Sequence, residues 1–215
     1  MSTPPVQAGT EVPARFPGFR VLDQANHWDD ATRSVVLARV GRPADIRFFD
    51  VAEQAAATAL FDELLDQEGD GRVPITAMVD ARLAESQTDG WHYDSMPTDG
   101  DAWHITLAAL DDEARAIHGC SFAECGRDER RELLEGIRSG DGDWHDLHRG
   151  QVWGLWTRYA CTAFYSHPDA WDEIGFAGPA YPRGYKNLGV GKREPFEVAD
   201  AHPAKIPATR TGGAS

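Results

Sequence analysis

Two histidines three residues apart, His145 and His148, form the chain's most suggestive ligand pair, with Asp143 and Asp146 beside them. On a helix, that spacing puts both rings on one face, where they could share a metal ion. The zinc-protease pattern is His-Glu-x-x-His. Here the spacing is one residue short and the glutamate is missing. A di-metal site in a helical bundle needs Glu-x-x-His on two helices, and no such pair occurs. His145 and His148 therefore read first as the polar start of a helix and only second as metal ligands.

Other fragments of chemistry are equally incomplete. Asp66-Gln67-Glu68-Gly69-Asp70-Gly71 opens like a calcium loop, but its twelfth position is Ala77 where a bidentate carboxylate belongs, and Pro74 interrupts it. It reads as a turn between helices. Gly189-Val190-Gly191 starts like a dinucleotide loop, yet Glu194 stands at the third glycine position and no strand precedes it. There is no nucleophile elbow and no phosphate loop. Cys161 lies in an apolar helix, where a thiol is normally inert. His92, His104, His118 and His167 are scattered. No nucleophile, base and orienting group assemble, so the sequence assigns no catalytic and no cofactor-binding residue.

Composition narrows the partners. The 215 residues carry a formal charge of −14 with 41% hydrophobic residues, enough for a core. That acidity repels phosphate backbones, and the one basic run, Arg127 to Arg131, is interleaved with Asp128 and Glu129 and reads as a solvated helix face. Nucleic acid is not an expected partner. No run of about eighteen apolar residues exists, so no membrane insertion is expected. The first residues have neither a basic start with an apolar stretch nor a twin arginine, which at face value means the cytoplasm. Export on a partner would instead place the chain outside it. Of three cysteines, Cys120 and Cys125 are near enough to pair if their loop allows it. Otherwise they are small buried apolar residues.

The elements that would position these groups are helices. Apolar residues at helical spacing mark one helix over about Asp30 to Val40, with Val36, Leu37 and Val40 on one side. A second starts at Asp50, whose Asp-x-x-Glu resembles a capping box, with Val51, Ala55, Leu60, Leu64 and Leu65 as its apolar residues. A third follows Pro74, with Ile75, Met78, Val79 and Leu83 inward. Glu85 to Gly100 is a long loop in which Trp91, Tyr93 and Met96 are anchors. A fourth covers about Asp101 to His118 with Trp103, Leu107, Leu110, Ala114 and Ile117 inward, and a fifth about Asp128 to Arg138 around Leu133, Leu134 and Ile137. The sixth, from Trp144 to Phe164, is apolar on more than one stripe and reads as central, ending at Pro168. Strand evidence is thin. The expectation is an all-α, irregular bundle of about five to six helices over residues 19–196, with a flexible tail at 1–18 and a disordered one at 197–215.

The segment 165–196 loses helical period and alternates Gly, Pro and aromatics. It can wrap its own bundle, or lie on another protein, since aromatics are enriched at interface cores. The candidate contact residues are Tyr165, Trp171, Phe176, Tyr181 and Tyr185.

Within it, Phe164-Tyr165-Ser166-His167-Pro168, Trp171, Ile174-Gly175-Phe176 and Gly178-Pro179-Ala180 resemble the C-terminal pattern of the gluconate 2-dehydrogenase subunit 3 family. The helix at Val51 to Asp66 and the Leu107-Ala108-Ala109-Leu110-Asp111 segment fit the family's layout, and the likeness covers about residues 48 to 185. The resemblance implies a small all-α accessory subunit, non-catalytic and without a cofactor of its own. Its partner would be an FAD-dependent dehydrogenase of the glucose-methanol-choline type, often accompanied by a cytochrome c subunit. Two alternatives remain at this stage: an independent metal-dependent enzyme using His145 and His148, and a helical protein binding a small apolar ligand.

Overall fold

The structure, a computed structural model, describes residues 15–67, 69, 73–187 and 189–199. The fold is predominantly α. Helices are α1 (Asp30–Arg39), α2 (Val51–Leu65), α3 (Ile75–Ala84), α4 (Asp99–His118), α5 (Arg127–Ser139), α6 (Arg149–Phe164) and α7 (Pro168–Ile174). A 3-10 turn at Val21–His27 precedes them. Strands β1 (Asp143–Trp144) and β2 (Leu147–His148) pair antiparallel just before α6. The described chain divides into two compact units, one over residues 39–167 and one made of residues 15–38 with 168–199. Parts of the expected tails, 1–14 and 200–215, lie outside the described residues, as do residues 68 and 70–72 of the calcium-like segment.

In the larger unit, α2 packs against α3, α4, α5 and α6, so it shares the centre with α6. Its buried face is Ala56, Ala57, Leu60 and Phe61, while Val51 and Ala55 are exposed. The alanines allow close helix approach, but an alanine-rich run carries no sharp apolar stripe, and the expected face was therefore displaced. Asp50 and Glu53 do form the expected capping box, with Glu53 N–H donating to Asp50 Oδ1 at 2.8 Å and Asp50 N–H to Glu53 Oε2 at 2.9 Å. Ile117 of α4 is also exposed rather than inward, as are Leu37 and Val40 beyond the buried Val36. Each lies near a helix end, where the core no longer reaches it. The core proper is aromatic: Trp103 meets Phe61 and Tyr159 at ring-centroid separations of 5.5 and 5.7 Å.

Buried acids fasten the connections. Asp80 on α3 is wholly inaccessible. It accepts the backbone N–H groups of Arg47, Phe48 and Phe49 at 2.8, 2.8 and 2.9 Å, which seats the loop leading into α2. The side chain of Glu63 is 2% exposed and receives Arg130 Nε at 3.0 Å, Arg131 Nε at 3.1 Å and Arg127 Nε at 3.3 Å. The basic run is thus not a solvated face. It is the seam by which α5 grips α2, and its acids Asp128 and Glu129 hid that in the sequence.

In the smaller unit, Val21, Trp28, Val36 and Trp171 form a separate apolar cluster. Asp172 accepts Val21 N–H at 2.5 Å and pairs with Arg20 Nε at 3.1 Å. Pro168 does not simply stop the chain after α6; it opens α7, as its preset φ allows at a first helical position.

Asp80→Asn places an amide NH₂ against backbone donors. We expect it to lower the unfolding free energy by roughly 2–3 kcal/mol, read from urea denaturation. A change below about 0.5 kcal/mol, the size typical of neutral surface substitutions, would count against this role.

Candidate functional site

His145 and His148 do not share a helix face. His145 and Asp146 are the two residues of the β1–β2 turn, with φ of 49° and 62°, and His148 sits on β2 opposite Asp143. A two-residue hairpin of this hand usually carries Asn-Gly, so the sequence offered little warning. His145 Nε2 lies 3.8 Å from Glu113 Oε2, while His148 is exposed. Among the cysteines, the pairing that the spacing allowed is made, while Cys161 departs from its reading. Cys120 and Cys125 form a disulfide, and Cys161 on α6 is exposed rather than buried.

The five aromatic contact candidates fall into different environments. Trp171 is 6% exposed and belongs to the smaller unit's core, with Phe176 edge-on at 5.3 Å. Phe176, Tyr181 and Tyr185 of the same unit are exposed, Tyr181 by 66%. Tyr185 tilts against Phe196 at 6.1 Å, and the Arg183 guanidinium covers the Phe196 ring at 3.7 Å. Tyr165, half exposed, belongs to the larger unit and meets Phe164 edge-on at 5.1 Å.

The larger unit carries a constellation that sequence reasoning missed. Asp99, at the start of α4, is buried. Its Oδ2 accepts the Tyr159 hydroxyl at 2.6 Å and Arg158 Nη2 at 3.2 Å. Arg158 also donates to Asp89, which receives Arg82 as well. Arg158 lies over the Trp91 ring at 5.2 Å and over the Tyr159 ring at 5.1 Å. Although its partial burial opposes ionisation, the bonds from Arg82 and then Arg158 hold the Asp89 carboxyl below the usual carboxylate range. One signal was available: after Arg149 at its first position, Arg158 is the single charge on α6. Of the three loop aromatics and sulfur side chains expected to be anchors, only Met96 is buried. Trp91 and Tyr93 are more than half exposed.

A recess of about 70 Å³ opens here, lined among others by Trp91, Tyr93, Met96, Gln151, Gly154 and Arg158. It is far below the roughly 300–1,000 Å³ of small-molecule sites and suits a single protruding side chain. A wider recess of about 500 Å³ runs along α2 from Gln54 to Asp62 and past the start of α3, where Thr58 and Thr76 share a hydrogen bond of 2.9 Å.

This geometry can hold a surface against another protein. The family described as Gluconate 2-dehydrogenase subunit 3 matches residues 51–178, from the first residue of α2 to Gly178. The chain belongs to that family. No curated protein and no solved structure matches it. Near the end of the matched range stand two glycines that the local packing requires. Gly178 has φ +74°, and a Cβ there would stand 2.7 Å from the Trp28 ring and 3.0 Å from Val21. Gly175 has φ +72°, and a Cβ would meet Phe16 and Val198 below 3.0 Å.

Burial first, and then the bond to Asp99 and its charge, push the Tyr159 phenol well above its ordinary value. The folded chain therefore keeps a proton that the unfolded chain releases above about pH 10. This stabilisation is intact below that pH and is lost as pH rises toward the folded value. Urea midpoints from pH 8 upward should fall less steeply for Tyr159→Phe than for the wild type. Equal slopes would refute the assignment.

Proposed function

We propose that this chain is a non-catalytic small subunit. It binds and stabilises, or helps to mature, a partner FAD-dependent sugar or alcohol dehydrogenase of the glucose-methanol-choline type. The observation that carries the reading is the family match over residues 51–178. FAD is expected on the large subunit, with a cytochrome c subunit as a third component. The exposed Phe176, Tyr181 and Tyr185 supply the kind of aromatic surface that docking uses, and Trp91 and Tyr93 offer a second one. The Cys120–Cys125 disulfide supports residence in an oxidising compartment, reached in company with the partner. No helix of the described residues is long and apolar enough to cross a membrane.

Co-expression with a flavin dehydrogenase encoded beside this chain tests the proposal. A tagged chain should recover the flavoprotein in equal amount, while the isolated chain shows no flavin absorbance and no turnover. Tyr181→Ala and Phe176→Ala should weaken association by roughly tenfold or more where they are hot spots and leave the melting temperature in place. Trp171→Ala should lower the melting temperature itself. A chain that stays alone beside the flavoprotein, or that turns over substrate unaided, would end this reading.

A further inference from the structure

The tightest collection of metal-capable side chains among the described residues is Cys120, Cys125 and Glu129. One sulfur from each cysteine and one carboxylate oxygen all lie within 4.8 Å of one another. Four residues separate the cysteines, a spacing used by half of a structural zinc site. Glu129 is already aimed: its Oε2 accepts Gly126 N–H at 2.7 Å, and its Oε1 stands 3.8 Å from His118 Nδ1. His118 is the last residue of α4, and its Nε2 is buried with no hydrogen-bond partner among the described residues. Cys125 directly precedes Gly126, the N-terminal cap of α5.

Contacts other than the sulfur–sulfur bond also hold the loop carrying these groups. Phe122 is wholly buried, and its N–H donates to Asp111 Oδ1 at 2.9 Å. Ser121 donates from its hydroxyl to Glu124 at 2.6 Å and from its N–H at 3.2 Å, and Cys125 N–H reaches Ser121 carbonyl oxygen at 3.1 Å. An opened pair would thus remain side by side, with its Cα atoms held near their present 5.7 Å.

We propose that this loop is a redox-gated metal site. Closed, it is a disulfide. Opened by a dithiol reductant, it binds one zinc-class divalent cation through Cys120, Cys125, Glu129 and His118. The reductant supplies two electrons and two protons and becomes a disulfide itself. The two thiols then lose those protons to solvent as the ion binds, and two thiolates, one carboxylate and a neutral imidazole complete a tetrahedral set. The site belongs to this chain alone and does not require the flavoprotein partner.

The test uses the full chain with Cys161→Ser, which removes the exposed third thiol. Reduced and oxidised samples are titrated with Co²⁺, then with Zn²⁺, while circular dichroism follows the fold. The reduced chain should stay folded and take up one Co²⁺ with a thiolate-to-cobalt charge-transfer band, which Zn²⁺ abolishes. The oxidised chain should show no such band. Glu129→Gln, which can keep the cap on Gly126, and His118→Ala should each weaken binding at least about tenfold, and Cys120→Ser with Cys125→Ser should abolish it. The proposal is overturned if the reduced chain unfolds or binds no stoichiometric ion. It also fails if the oxidised chain binds equally, or if neither Glu129→Gln nor His118→Ala changes the affinity.

Discussion

Removing a carboxylate from water is tolerated only where donors converge on it, and the larger unit meets that condition repeatedly. Asp80 gathers three backbone amides, Glu63 three arginines, Asp99 a phenol with an arginine, and Asp111 the amide of Phe122 with Arg115. Each acid sits on a helix and fastens a different neighbour: the loop before α2, the face of α5, α6, and the cysteine loop. The excess of acid that dominates the composition is therefore partly structural. It does not all stand on the surface as a repelling shell.

This fastening also fixes the exposed groups on which the proposed docking rests. The Asp99 cluster fixes Arg158, and Arg158 in turn lies over the half-exposed Trp91. An aromatic ring held against a guanidinium that is itself ion-paired loses little freedom on meeting another protein. In the smaller unit, buried Trp171 places Phe176 beside it, and Gly178 lets the backbone pass over Trp28. This segment thus joins framework residues with presented ones. In the proposed accessory role, that pairing would let one short stretch serve both its own fold and a partner.

Most helices were legible in the sequence because apolar spacing and terminal residues agreed. Asp50 with Glu53, Pro74 and the trio Leu133, Leu134 and Ile137 all behave as read. The failures have physical causes. The histidine pair was read on a helix because its hairpin lacks the usual Asn-Gly, although His and Asp accept the left-handed turn. The arginine run looked solvated because its partner, Glu63, is more than sixty residues earlier. The Asp99, Arg158 and Asp89 cluster joins three segments, and no local pattern could announce it. The terminal aromatics were visible as a group, but their division into the buried Trp171 and the exposed tyrosines was set by packing that only the fold reveals.

The smaller unit is discontinuous, and chain entropy gives that arrangement a temporal meaning. The Val21 amide and the Asp172 carboxylate that accepts it are 151 positions apart. Closing a loop of that length in an unfolded chain costs about 4 kcal/mol before any contact compensates. The stretch 39–167 closes loops nearly as long, such as Arg39 to Ser166, but it is contiguous and complete before Pro168 is synthesised. It is the natural first unit to form, leaving the two outlying segments to pair afterwards. Nascent chains still short of Trp171 would therefore carry an assembled helical unit beside an unmatched leading strip, and that half-finished form is the one that early contacts in the cell would meet.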